Sequence, residues 1–219
     1  LNPVTGDLGA GILEALGIPR EKFGVMTQPG TVAGTLTEQV QEATGLGAVP
    51  VIAVAGHDTG SAVAAVPAKD KEYAYLSCGT WSLLGIESET AIITEDSFRE
   101  NFTNEGGIEG TTRFLKNICG LWLFEQSRKK FKDAPSSVGE LVALCEESSY
   151  EGLIFPDDPS FANPPSMTAA IREYCSRTGQ PAPETPADSC RCIFRSLAFR
   201  YRQVVEILGG MCSFPIRKL

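Results

Sequence analysis

The segment that decides the fold reads Pro50-Val-Ile-Ala-Val-Ala55, followed by Gly56-His-Asp-Thr-Gly-Ser61. The first half is a continuous apolar run with β-branched members, which is typical of a strand covered on both faces in an α/β sheet. Small apolar residues follow at Ala62–Val66 and predict a tightly packed helix capped by Asp58 or Thr59. Because ligands of open α/β sheets bind outside the carboxyl ends of the strands, this junction is the first candidate site.

Asp58 carries the chemistry that we predict at this junction. A carboxylate beside a helix start can accept the proton of a substrate hydroxyl, but aspartate is also one of the commonest helix-capping residues. Position alone leaves both interpretations open. The neighbouring His57, the only histidine of the chain, can act as a base or hydrogen-bond a polyol hydroxyl. No G-x-S-x-G motif is present, so a hydrolase triad has no support, and a thiol dyad of His57 with Cys78 is a remote alternative.

The second candidate site is the turn Ser77-Cys-Gly-Thr-Trp-Ser82. It lies between two short β-like runs within Tyr73–Glu87, which predict a hairpin. A tight turn of small residues exposes backbone N–H groups that suit an anion such as phosphate, and Thr80 can add its hydroxyl. The sequence contains no G-x-x-x-x-G-K-[ST] motif, so a P-loop enzyme is excluded.

The rest of the chain reads as mixed α/β with a helix-rich second half. Strand-like pieces run through Phe102 and near Arg113–Leu115, and we expect Asn104–Gly107 to be the turn between them. Apolar spacing predicts a helix from Asn117 to about Lys132. Three later helices are predicted to open near capping or helix-start residues, namely Ser137, Ser166 and Pro186.

Composition excludes several classes of protein. The 219 residues include 27 acidic and 19 basic side chains, a net charge of −8, which argues against nonspecific binding to nucleic acid or anionic membranes. The longest apolar run, Ala48–Ala55, is far shorter than the roughly 20 residues of a membrane-spanning helix. The seven cysteines form no CxxC pair, so we expect reduced thiols in a cytoplasmic protein and assign no metal ligand. A disulfide of Cys175 with Cys190 or Cys192 stays open.

Taken together, the two candidate sites resemble the FGGY carbohydrate kinases. The likeness is carried by Gly56–Pro67 and Tyr75–Glu87, in that order and close together. Three further segments extend the likeness, namely Asn101–Gly107, Arg113–Leu123 and Tyr174–Pro181. The likeness covers essentially Leu1 to Leu208, with its segments in the same order as in the family.

The resemblance implies an actin-like ATPase fold, in which ATP and a sugar bind between two ribonuclease-H-like α/β domains. Residues 1–68 would be the C-terminal part of the first domain and residues 69–219 the N-terminal part of the second, so both would be incomplete. The family's Asp-x-Gly-Thr hairpin and Gly-Gly-Gly adenosine loop have no counterpart in this sequence. The chain therefore resembles an internal fragment, and on its own we expect it to bind ATP poorly and to turn over slowly or not at all.

The resemblance also implies roles for the sugar-site residues. Asp58 would be the catalytic base that takes the proton of the sugar's 1-hydroxyl. His57, Thr59 and Asn117 would hold the sugar, which the resemblance implies is L-rhamnulose.

For the nucleotide, the resemblance implies that Gly79 and Thr80 face the phosphates of ATP, with Mg²⁺ neutralising charge. Glu125 stands where the family usually has glutamine near the nucleotide, which weakens its expected role there. The alternative hypothesis keeps the fold without catalysis, as a nucleotide- or sugar-binding protein of the actin-like class. The oligomeric state is not readable from the sequence.

Overall fold

The computed structural model describes residues 1–131, 134–135 and 137–219. Short strands and helices alternate in the first part of the chain, and helices dominate the second. The strands are β1 (Val32–Thr35), β2 (Pro50–Ile52), β3 (Tyr75–Cys78), β4 (Trp81–Ser88), β5 (Thr103–Gly106) and β6 (Thr112–Cys119). The helices are α1 (Ala10–Ala15), α2 (Glu38–Thr44), α3 (Asp58–Ala64), α4 (Glu95–Arg99), α5 (Trp122–Arg128), α6 (Val138–Glu147), α7 (Met167–Arg177) and α8 (Pro186–Gly209).

The strands form two sheets, and the residues divide into two compact units. One sheet pairs β1 with β2, and the other has the strand order β3-β4-β6-β5. The first unit comprises Leu1–Tyr75, Gly85–Leu115 and Arg217–Leu219, and the second comprises Leu76–Leu84 and Lys116–Ile216. None of the described helices is both long and apolar enough to cross a membrane.

Strand β2 is shorter than the strand that the apolar run Pro50–Ala55 predicts. It spans only Pro50–Ile52, pairs antiparallel with β1, and its three residues are exposed. We predicted a longer strand covered on both faces. The apolar composition is as expected, but among the described residues β2 pairs with β1 alone and receives no cover.

Strand β5 occupies the segment for which we predicted a turn. Thr103–Gly106 pairs antiparallel with β6, so that Thr103 lies opposite Leu115 and Gly106 opposite Thr112. The turn lies later, where the amide of Gly107 donates to the carbonyl of Thr111. Asn, Glu and Gly disfavour strands when considered locally, and pairing with a buried neighbour outweighs that preference.

Strand β6 also replaces the start of a predicted helix. The strand runs to Cys119, and α5 begins only at Trp122. Phe114, Leu115 and Ile118 are fully buried, which a strand in the middle of a sheet satisfies. A short apolar run is compatible with either structure when only its spacing is considered. The predicted helix end at Lys132 lies outside the described residues.

The core of the second unit is built by its helices. On α8 the apolar stripe that includes Ile193, Leu197, Val204 and Leu208 is buried, and it packs in part against α5 and α6. The predicted helix starts are confirmed, because Ser137, Ser166 and Thr185 cap α6, α7 and α8 with their side chains. These helices begin where local signals predict, since capping is decided within one turn.

All seven cysteines are free thiols in the structure, including the three for which a disulfide was considered. Cys145, Cys175, Cys190 and Cys192 are buried in the helical core. Burial raises the pKa of both Cys190 and Cys192 to about 12, so these two thiols are protonated at neutral pH.

Gly85 is a position in the first unit where an added methyl group should disturb the packing of the sheet. A Cβ atom there would lie 2.6 Å from the Cβ of Leu115. We expect Gly85→Ala to lower the free energy of unfolding by about 2–3 kcal/mol, measured by urea denaturation. The control is Gly139→Ala in α6, where a Cβ would meet only the Ser137 side chain at 3.7 Å, and we expect stabilisation by about 0.5 kcal/mol. Equal effects at the two sites would contradict this account of the sheet.

Candidate active site

Asp58 is the first residue of α3 and does not cap it. His57 occupies the N-cap position with extended backbone and no side-chain cap hydrogen bond. The carboxylate of Asp58 accepts the amide of Thr59 through Oδ1 at 2.7 Å, and its side chain is 94% exposed. The predicted cap at Asp58 or Thr59 is therefore wrong. The carboxylate keeps lone pairs available for a ligand.

The two neighbours of Asp58 differ in what they offer to a ligand. The Nδ1 atom of His57 lies 3.4 Å from Oδ1 of Asp58, and the imidazole is 57% exposed. Thr59 is buried, and its hydroxyl lies 3.5 Å from the same carboxylate oxygen. In the first unit, therefore, an imidazole and a carboxylate are presented side by side, while the threonine supports them from within.

The predicted hairpin turn is confirmed in the second unit, between β3 and β4. The carbonyl of Gly79 accepts the amide of Leu121 at 2.9 Å, and that of Thr80 accepts the amide of Trp122 at 3.1 Å. The amide of Gly79 itself donates to the carbonyl of Trp81 at 2.9 Å, so it is not one of the donors that the turn can offer an anion. The exposed side chains of the turn are those of Cys78, Thr80 and Trp81.

Gly120 fixes the turn sterically. A Cβ atom at this position would lie 2.6 Å from the carbonyl oxygen of Gly79 and 2.7 Å from Oγ of Ser82. Only glycine permits this approach, which places the start of α5 directly on the turn.

A hydrogen bond that sequence reasoning missed anchors the strand after the turn. The hydroxyls of Ser82 and Tyr201 lie 2.7 Å apart, and Sγ of Cys78 is 3.6 Å from the same tyrosine oxygen. Ser82 is fully buried, and burial raises the pKa of Tyr201 to about 12. A tyrosine within the apolar stripe of α8 is the only sequence signal for this contact.

The two remaining predicted residues lie on either side of Gly120. Asn117 is exposed on β6 and not at a helix start, which corrects its predicted setting. Glu125 lies in the first turn of α5, where Oε2 pairs with Nη2 of Arg128 at 2.8 Å. The carboxylate of Glu125 thus already has a cationic partner.

The donor set also bears on a divalent metal. No group of three or more His, Cys, Asp or Glu side chains that could hold a metal occurs in the part of the chain that the structure describes. Mg²⁺ in kinases is usually held by one or two carboxylates together with substrate phosphates. The described residues therefore fit a metal that arrives bound to nucleotide phosphates better than one held by the protein alone.

Comparison with known proteins identifies the class. The model of the "FGGY family of carbohydrate kinases, C-terminal domain" matches residues 74–219. The chain belongs to this family. Its mixed α/β fold matches solved sugar kinases of the actin-like class: a gluconate kinase from Lactobacillus acidophilus (TM-score 0.68, 13% identity, 100% of this chain and 44% of that chain) and a xylulose kinase from Rhodospirillum rubrum (TM-score 0.63, 19% identity, 95% and 42%).

Within the family, the chain is similar to proteins named rhamnulokinase. The one from Bacteroides thetaiotaomicron is 54% identical over 220 residues, which cover 100% of this chain and 45% of the relative. The one from Pectobacterium atrosepticum is 45% identical over 210 residues, covering 95% of this chain and 41% of the relative. The chain thus spans less than half the length of these relatives.

The contribution of the contact between Ser82 and Tyr201 to the free energy of unfolding can be measured. Tyr201→Phe leaves the buried Ser82 hydroxyl with only the thiol of Cys78 at 3.9 Å, so we expect a loss of about 1–2 kcal/mol in unfolding free energy. Ser82→Ala should cost a similar amount, and the double variant should cost about 1 kcal/mol less than the sum.

Tyr174→Phe is the matched control for this measurement. Its ring packs 5.4 Å from that of Phe161, and its hydroxyl makes no hydrogen bond among the described residues, so little change is expected. Strict additivity of Tyr201→Phe and Ser82→Ala in urea denaturation would show that the two hydroxyls do not interact.

Proposed function

We propose that the full polypeptide transfers the γ-phosphoryl group of ATP to the 1-hydroxyl of L-rhamnulose, giving L-rhamnulose 1-phosphate and ADP. The observation that carries the proposal is the exposed carboxylate of Asp58, which does not cap its helix. Similarity to rhamnulokinases along the whole chain supports the sugar. Because the chain spans under half of those relatives, activity is proposed for the full polypeptide and not for these 219 residues alone.

Asp58 acts as the general base in this proposal. Its carboxylate accepts the proton of the 1-hydroxyl while the hydroxyl oxygen bonds to the γ-phosphorus and the bond to ADP breaks. His57 hydrogen-bonds a second hydroxyl of the sugar, and its position 3.4 Å from Asp58 supports that role. Thr59 also belongs to the proposed sugar site, where its hydroxyl lies 3.5 Å from the Asp58 carboxylate. Asn117 offers its side-chain amide to the sugar.

The turn at Gly79 and Thr80 takes the nucleotide phosphates in this proposal. Thr80 donates its hydroxyl, and the glycine lets the phosphates approach the backbone closely. When bound, Mg²⁺ neutralises charge on those phosphates. Glu125 is the least supported member of the set, because its carboxylate is paired with Arg128. Residues 1–68 and 69–219 are assigned to the two kinase domains, and the cytoplasm is the proposed location.

A second candidate is a non-catalytic nucleotide- or sugar-binding protein of the same fold. Two observations favour it: the ion pair of Glu125 with Arg128, and the internal use of the Gly79 amide. Both concern the nucleotide turn, whereas a protein without catalysis has no need of the exposed carboxylate at Asp58.

The sugar is tested by comparing substrates with the full-length gene product. In an assay that couples ADP release to a spectroscopic signal, we expect kcat/KM for L-rhamnulose to exceed that for D-xylulose and gluconate by at least about 100-fold, since missing hydroxyl contacts are costly. Mass spectrometry should find a 1-phosphate. Preference for either of the other compounds would refute the proposed substrate.

The base is tested by Asp58→Asn in the same polypeptide. The amide cannot accept the proton, so we expect kcat to fall by about 10²–10⁴-fold while calorimetric sugar affinity changes little. The control is Asp96→Asn, which changes another exposed aspartate in the first turn of a short helix, α4, and should leave kcat as it is. Undiminished transfer by Asp58→Asn would exclude Asp58 as the base, whereas an absence of transfer by the unaltered full-length product would leave the binding protein as the better hypothesis.

A further inference from the structure

A buried arginine lies in the first unit on strand β6. Arg113 is paired across the strands with Glu105 of β5, and its side chain is 4% exposed. Its Nη2 atom is 2.9 Å from Oε2 of Glu105, and its Nε donates to the carbonyl of Gly106 at 3.3 Å. Taking this charge out of water is costly, and a well-packed apolar side chain of similar volume would often be as stable or more so. Stability alone is therefore a weak reason for an arginine here.

The guanidinium of Arg113 supports helix α3. A Cβ atom added to Gly60 would lie 3.3 Å from Nη2 of Arg113, 3.4 Å from its Cζ and 3.1 Å from Cβ of Ala55. The backbone of the first turn of α3 therefore rests on the arginine, at a residue whose lack of a side chain permits it. Gly60 follows Asp58 by two positions, so the contact lies in the turn that carries the proposed base.

The polar groups around Arg113 are not all satisfied. Its Nη1 atom and the hydroxyl of Tyr75 are buried, and neither makes a hydrogen bond of good geometry within the described residues. Burial raises the pKa of Tyr75, and the nearby charge of Arg113 opposes that rise. Unsatisfied buried groups are rare in proteins and need a reason, and they are commonest where a structure gives up stability for a functional arrangement.

We propose that Arg113 is a positioning residue for phosphoryl transfer, which with Glu105 holds the first turn of α3 so that the Asp58 carboxylate meets the sugar hydroxyl. The inference rests on the proposed function of Asp58. Arg113 touches neither substrate in this proposal. It acts through Gly60, and the small size of Gly60 and the fixed fork of the guanidinium are both required.

The test uses Arg113→Met and Arg113→Lys in the full-length gene product. For Arg113→Met we expect kcat to fall roughly 10- to 100-fold per folded molecule, since small misplacements of a reacting group cost that much. The KM for ATP should stay within about twofold. Arg113→Lys keeps the charge but not the fork, so it should recover only part of the lost rate.

Two further measurements separate positioning from a merely structural role. Arg191→Met removes another largely buried, ion-paired arginine, one that lies in the second unit and donates to the carbonyl of Tyr150. It should lower the melting temperature without changing kcat per folded molecule. In an Asp58→Asn background, the slow residual transfer measured with labelled ATP should be unaffected by Arg113→Met, because the group being positioned is already gone.

The outcomes distinguish the inference from the function on which it rests. If Asp58→Asn is inactive and Arg113→Met behaves like Arg191→Met, or lowers the residual rate of Asp58→Asn by its full factor, the positioning role is overturned and the base assignment survives. If Asp58→Asn keeps full activity, the base assignment fails, and the positioning role fails with it. A loss of kcat that disappears in the Asp58→Asn background supports both.

Discussion

The absence of a side chain at Gly120 is the constraint on which the packing of α5 against the turn at Gly79 and Thr80 depends. With no Cβ, the chain leaving β6 approaches the carbonyl of Gly79 closely enough for the first amides of α5 to bond to the turn. Those amides would otherwise have no intrahelical partner, and the turn carbonyls would face them unpaired. One packing contact thus satisfies two sets of backbone groups, and it leaves the side chain of Thr80 outside.

The arrangement at the start of α3 follows a different principle. The start of α3 is not closed by a side-chain cap, and His57 stands at the capping position without using its ring for this purpose. Replacing a good cap by a residue that does not cap costs about 1 kcal/mol. Here the cost coincides with an imidazole and a carboxylate that both reach the surface of the unit. Local stability of the helix start is lower than it could be, and two polar groups are free for a ligand.

The parts of the fold that were predictable are those decided within a few residues. The starts of α6, α7 and α8 follow from caps and apolar stripes, and the hairpin around Gly79 follows from small residues between β-like runs. The segment Asn104–Gly107 was assigned wrongly because its pairing with β6 depends on residues about ten positions away. The contact of Arg113 with Gly60 and that of Tyr201 with Ser82 join residues that are still farther apart in the sequence. Local patterns therefore could not predict either contact. For Asp58, the sequence alone does not distinguish a helix cap from a general base. The structure excludes the capping role, because His57 occupies the N-cap position.

Helix α3 shows why a long-range support is needed at this site. It has seven residues, and helices of that length are marginal in water without tertiary contacts. Its buried face consists of Thr59, Gly60 and Val63, which offers little apolar area to hold it. A carboxylate acting as the general base that we propose must nevertheless be held in a narrow range of positions during transfer. In the positioning role that we propose, the buried guanidinium of Arg113, paired with Glu105, supplies at Gly60 the constraint that the apolar face is too small to provide.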